Sequence, residues 1–83
     1  MIEIYSKPNC AWCDRAKVLL DSRGISYREF KIGEDVTISW VRDNFPTMRT
    51  VPIITKDRQL VGGYDNLVEA VSNDGFGKTL LNG

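Results

Sequence analysis

The chain contains two cysteines, spaced three apart in the run Cys10-Ala11-Trp12-Cys13. On a helix, residues i and i+3 face the same side, and two thiols so placed can join without unwinding the backbone. A disulfide across so short a loop removes little entropy from the unfolded chain, so its purpose would be chemistry rather than stability. From Ala11 onward the pattern is helical, with Ala16, Leu19 and Leu20 on one face and Gly24 as a C-terminal stop. Cys10 therefore sits at a helix start. There the unpaired N–H groups and the positive end of the dipole favour a thiolate, and such sites lower a cysteine pKa from about 8.5 to between about 3.5 and 7.5. Cys10 is the expected nucleophile. Cys13, one turn deeper and less exposed, is the expected resolver of a mixed disulfide formed on Cys10. Lys7 adds positive charge near the thiolate and Asp14 works against it.

A C-x-x-C pair can also be half of a zinc site, but zinc wants four ligands, and this sequence has no histidine and no further cysteine. No metal ligands are assigned. Lysine plus arginine and aspartate plus glutamate both number 11, which leaves no net charge to attract nucleic acid or an acidic membrane surface. No apolar stretch approaches the roughly 20 residues that span a bilayer, and the N-terminus lacks a basic region followed by an apolar block. The expected setting is cytoplasmic, where a close cysteine pair is more often redox-active or metal-binding than structural.

The elements that must position this pair can be traced along the chain. Ile2 to Tyr5 alternates as a short strand, and Ile25 to Ile32 reads as a second. Thr37 can cap a helix whose inner face carries Ile38, Val41 and Phe45, with Trp40 off that face and Pro46 at the end. Val51 to Thr55 and Gln59 to Val61 suit an antiparallel hairpin around Lys56, Asp57 and Arg58. Asp65 can cap a last helix with Leu67, Val68 and Val71 inward, ending near Asn73, Asp74 and Gly75, and Phe76, Leu80 and Leu81 read as a short apolar turn docked on the core. Tyr5, Phe30 and Phe45 read as core residues. A strand, crossover helix and strand imply a parallel pair, to which the hairpin adds antiparallel strands. The expectation is a single α/β domain over residues 1–83.

Two further segments bear on chemistry. Thr50-Val51-Pro52 opens a strand. A cis bond before Pro52 would let Val51 offer its N–H and C=O to an extended peptide-like ligand. Gly62-Gly63-Tyr64-Asp65 precedes a helix. Its glycines would let a ligand approach the helix N-terminus, where N–H groups bind a carboxylate while Asp65 binds an ammonium. Those two groups suit the two ends of an amino acid.

Taken in order, Lys7-Pro8-Asn9-Cys10-Ala11-Trp12-Cys13, Thr50-Val51-Pro52 and Gly62-Gly63-Tyr64-Asp65-Asn66-Leu67 resemble the dithiol glutaredoxins, small members of the thioredoxin fold. The resemblance runs over nearly the whole chain. It implies a four-stranded mixed sheet of order 2-1-3-4 flanked by three helices plus a short C-terminal turn, a cis Pro52 facing the cysteines, and a groove for glutathione. In that groove Lys7 would meet a glutathione carboxylate, Thr50 and Val51 would pair with the cysteinyl backbone, and Gly63, Asp65 and Asn66 would hold the γ-glutamyl end. Trp12, where the family usually has tyrosine, would form a wall, and Arg49 also fits the pattern. A polar residue of the second helix often joins, with Ser39 and Arg42 as equal candidates. Ala11 departs from the frequent proline, a residue that stiffens the first helical turn.

The resemblance implies a monomeric glutathione-dependent oxidoreductase that reduces protein disulfides and glutathione mixed disulfides, with glutathione as co-substrate and no tightly bound cofactor. Ribonucleotide reductase is the acceptor that the family resemblance implies. Two alternatives stay open: a redoxin reduced by thioredoxin reductase, and a carrier of a glutathione-ligated 2Fe-2S cluster.

Overall fold

The computed structural model describes residues 1–72 and contains β1 (Ile2–Ser6), α1 (Ala11–Ser22), β2 (Tyr27–Lys31), α2 (Ile38–Asn44), β3 (Ile53–Lys56), β4 (Gln59–Gly62) and α3 (Tyr64–Ser72). The strands form one sheet of order β2-β1-β3-β4. β1 runs parallel to β2, with Ile4 opposite Glu29 and Ser6 opposite Lys31, and antiparallel to β3, with Ile4 opposite Ile54. This is the mixed sheet implied by the sequence, with three helices. The expected helix end at 73–75 and the apolar turn of Phe76, Leu80 and Leu81 lie outside the described residues.

The alternation of β1 divides the core between the two faces of the sheet. Ile2 and Ile4, with Ile54 from β3, pack on Ala16 and Leu20 of α1 and on Leu67 and Val71 of α3. Tyr5 and Ile53 point the other way and meet Val41 of α2, with Phe30 and Phe45 packed around them. Leu20 and Leu67 are fully buried, and burial of each such side chain stabilises the fold by about 1.5–3 kcal/mol. The sites of Tyr5, Phe30 and Phe45 are thus core, with the Tyr5 ring 5.2 Å from Phe30 and 5.1 Å from Phe45.

Two inward assignments do not hold. Ile38 is 51% exposed and Val68 36% exposed. Periodicity identifies the face on which a residue lies but not how far the opposing layer extends, and α2, only seven residues long, covers the sheet with Val41 alone fully buried. Trp40 leaves that face as expected, although its ring still edges against Phe45 at 5.9 Å. Thr37 caps α2 as the sequence indicates, its hydroxyl accepting the Trp40 N–H at 3.0 Å.

The strand boundaries also shift. β3 begins at Ile53, after Pro52, and Lys56 pairs with Gln59, so the hairpin turn is only Asp57 and Arg58. Both have positive φ, 50° and 69°, as a two-residue turn matching the twist of the strands requires. Asp57 is held there by the chain's N-terminal ammonium and by its own N–H, which donates to the Met1 carbonyl. That ammonium keeps the Asp57 carboxyl below its ordinary value.

Candidate active site

The loop between β1 and α1 delivers the dithiol. Asn9 takes a positive φ of 59°, a conformation that asparagine tolerates, and this turns the chain into Cys10. Cys10 is the N-cap of α1, and its sulfur accepts the Cys13 N–H at 3.2 Å. One of the orphan donors of the helix start therefore points at the sulfur that must carry negative charge when reduced. Cys10 and Cys13 form a disulfide with Cα atoms 5.3 Å apart. Cys10 is partly exposed, whereas Cys13 is 1% exposed, which is the asymmetry that a nucleophile and a resolver need.

Two clefts, one of them lined by Trp12 between the two cysteines, meet at Met48, Thr50 and Val51. The first, of about 430 Å³, is lined by Trp12, Thr50, Val51, Pro52, Gly63, Tyr64, Asp65 and Asn66, with Met48 in its floor. The Val51-Pro52 bond is cis. The second cleft, of about 470 Å³, carries Lys7, Arg42 and Arg49 together with Ile38, Phe45 and Pro46. Every residue that the sequence assigned to a groove lines one of these two clefts. Of Ser39 and Arg42, Arg42 is the one that lines the second cleft. Met48 was not singled out, only its adjacency to Arg49 marking it in the sequence, and Tyr64 entered as a member of the Gly62-Gly63-Tyr64-Asp65 run without a role of its own.

The walls are fixed locally. The Trp12 ring is half exposed, with the Tyr64 ring 5.2 Å away and the Arg15 guanidinium 4.7 Å from its centroid. Such a cation over an indole stabilises by about 0.5–1 kcal/mol at an exposed site. α3 opens at Tyr64 rather than after Asp65, so Asp65 lies in its first turn and is not the cap. The N–H of Gly63 donates to Asn66 Oδ1 at 3.1 Å, so that Asn66, the third residue of the helix, accepts as that position does in a capping box. The first-turn N–H groups that follow have no acceptor within the helix, and Tyr64, Asp65 and Asn66, which carry them, line the first cleft.

A three-residue network braces the other side of α1. Ser6 Oγ donates to Glu29 Oε2 at 2.6 Å, and Lys17 Nζ donates to the same oxygen at 3.0 Å. Those bonds, Ser6 first, hold the Glu29 carboxyl below its usual range, and the Glu29 hydrogen bond raises Lys17. Among the described residues no helix is long and apolar enough to cross a membrane.

Comparison with known proteins places this geometry. The Glutaredoxin family model matches residues 2–61. The chain is 39% identical to glutaredoxin 3 of Escherichia coli over 66 residues, 80% of each chain. It is also 30% identical to a glutaredoxin-like 8.6 kDa protein of Clostridium pasteurianum, covering 83% of this chain and 99% of that one. Among solved structures, a reduced Escherichia coli glutaredoxin superposes with TM-score 0.75 at 26% identity, over 88% of this chain and 94% of that one. A buckwheat glutaredoxin–glutathione complex superposes with TM-score 0.78 at 22% identity, over 98% of this chain and 76% of that one. The sequence matches and the dithiol capping α1 converge: this chain belongs to the glutaredoxin family and is a glutaredoxin-type disulfide oxidoreductase with Cys10 and Cys13 as its redox-active pair.

Proposed function

We propose that this oxidoreductase draws its electrons from glutathione and reduces glutathione mixed disulfides and protein disulfides. The Cys10 thiolate attacks a substrate sulfur, forming a Cys10 mixed disulfide and expelling the other sulfur as a thiolate that takes a proton from water. In one branch a second glutathione thiolate attacks the glutathione sulfur on Cys10, yielding oxidised glutathione and restoring Cys10. In the other, Cys13 attacks Cys10, releases the bound thiol and leaves the Cys10–Cys13 disulfide, which glutathione then reduces. Ribonucleotide reductase is the protein acceptor we would test first.

The observation that carries this reading is the charge at the two ends of the joined clefts. Lys7, Arg42 and Arg49 stand at one end, and the α3 N-terminus with Asp65 stands at the other. Glutathione has a carboxylate at one end and an amino acid, carboxylate plus ammonium, at the other. Cations match the first, while helix N–H groups and the Asp65 carboxylate match the second. Thr50 and Val51, between them, leave backbone groups for the peptide middle. The buckwheat relative is seen with glutathione on the same fold.

The test compares turnover of a small mixed disulfide with glutathione and its reductase against turnover with thioredoxin reductase. The first activity is expected to dominate, and its absence beside activity with thioredoxin reductase would overturn the proposal. Asp65→Ala is expected to raise the glutathione concentration needed for half-maximal rate about tenfold, with little change at saturation, the pattern left by loss of uniform binding. An unchanged requirement would remove Asp65 from the groove.

A further inference from the structure

Cys13 must lose its proton before it can attack, yet it is 1% exposed. Its protonation is therefore governed by neighbouring groups of the protein rather than by bulk water. Lys17 lies one helical turn beyond Cys13, and helical side chains lean back toward the N-terminus. Its ammonium is 3.0 Å from Glu29 Oε2 and 3.6 Å from Asp14 Oδ1. Ser6, 2% exposed, shares the strand parity of Ile2 and Ile4, whose side chains pack on α1, so its hydroxyl reaches Glu29 on the same face of the sheet. Lys17, four residues beyond Cys13, shares its side of α1 and holds the half-buried Glu29 carboxylate, with the exposed Asp14 carboxylate at its outer edge. Of the remaining neighbours, Lys7 precedes Cys10, Tyr27 and Lys31 flank Glu29 on β2, Asp65 opens α3, and β1 turns Glu3 and Tyr5 to the opposite face.

We propose that Lys17 and Glu29 act as positioning residues that set the protonation of Cys13: Lys17 favours its thiolate, Glu29 with Asp14 opposes it, and Ser6 fixes Glu29 in place. The balance keeps Cys13 a thiol while Cys10, at the helix N-terminus, is the thiolate. Once substrate is held on Cys10, the Cys13 proton passes to water, the Cys13 sulfur bonds to Cys10, and the bond from Cys10 to the substrate sulfur breaks. Cys13 is oxidised, the substrate sulfur is reduced, and the departing thiolate is protonated from water. The Glu29 carboxyl stays ionised throughout the neutral range, because its folded-state value is lowered by Ser6 and Lys17. The stability it contributes is present above the usual carboxylate range and is lost as pH falls through the lowered value. Around neutral pH the pair is therefore a fixed charge arrangement.

The proposal rests on the resolving role assigned to Cys13, and its test is independent of glutathione. In a Cys10→Ser background, the Cys13 thiolate is titrated by its ultraviolet absorbance. Lys17→Met is expected to move the titration to higher pH and Glu29→Gln to lower pH, and the double substitution should return it toward the start. Lys17→Arg, which keeps the charge, should stay near the start. In the protein with Cys10 restored, Lys17→Met should slow reduction of a protein disulfide at neutral pH about threefold or more, while leaving small mixed-disulfide turnover nearly unchanged. Circular dichroism establishes that each variant is folded, and if Lys17→Met is not, Glu29→Gln alone decides. A purely bracing role would lower the melting temperature without separating the titrations. Single substitutions that shift the titration in the same direction, or a folded Glu29→Gln that does not move it down, would overturn the proposal. Loss of glutathione turnover with the opposite shifts intact would instead count against the proposed reductant.

Discussion

Cys10→Ser is expected to lower turnover in every thiol-disulfide assay by about a thousandfold or more, equivalent to about 4 kcal/mol of transition-state stabilisation. A serine hydroxyl in the same N-cap can still accept the Cys13 N–H, so the helix survives while the nucleophile is lost. Activity loss without loss of folding is the signature to look for, read by coupled turnover and circular dichroism on the same sample. Cys13→Ser should separate the two branches. Reduction of a small glutathione mixed disulfide stays within about threefold of the parent, because a second glutathione can resolve Cys10. Direct reduction of a protein disulfide fails, because nothing in the protein then displaces the substrate from Cys10. Equal loss in both assays would contradict the division of roles between a partly exposed Cys10 and a buried Cys13.

The second large effect is expected at Gly62. Its φ is +128°, and a Cβ there would stand 2.3 Å from Asn66 Oδ1. Gly62→Ala therefore meets two costs. A side chain in that backbone region costs about 1–3 kcal/mol. Displacing Asn66 also breaks its bond to the Gly63 N–H, for about a further 1 kcal/mol. The sum, about 2–4 kcal/mol, should appear as a lower urea midpoint with unchanged slope. Because Asn66 and Gly63 also line the cleft, the glutathione requirement of the folded fraction should rise. Adding Asn66→Ala should recover part of the stability by removing the clash, though the backbone cost stays. Gly63→Ala is the contrast: a Cβ there is 3.7 Å from the Pro52 carbonyl, ordinary contact. Stability loss at Gly62 below about 1 kcal/mol, or equal loss at both glycines, would contradict this account.

The two glycines show how far sequence reading reaches. Gly62-Gly63 before a helix reads as room for a ligand, and Gly63 does line the cleft. Gly62, however, is required by its own φ and by the Asn66 side chain folded beneath it, a contact that no local pattern announces. Ile38 and Val68 carry the same lesson. Their spacing is correct for an inward face, but the layer they would face ends short, and Ile38 lines a cleft instead. Arg42 and Ser39 are equally polar residues of one helix, and only the packing of α2 on the sheet brings Arg42 beside Arg49.

The sequence alone determined the reactive centre. The i, i+3 spacing of Cys10 and Cys13 and the helix periodicity that follows are short-range features, and short-range geometry fixes which sulfur caps the helix and which is buried behind it. The strand and helix order was legible for the same reason, since alternation and capping are local. The tertiary structure decided what surrounds the dithiol. Lys7, Arg42 and Arg49 meet Thr50 along one cleft, and Ser6, Lys17 and Glu29 meet on one carboxylate oxygen, because β1 lies between β2 and β3 in a single register and α1 packs across it. Electrostatic influence depends on distance in space, and the contacts that matter here join residues of β1 and α1 to Glu29 of β2, 23 and 12 positions apart in the chain.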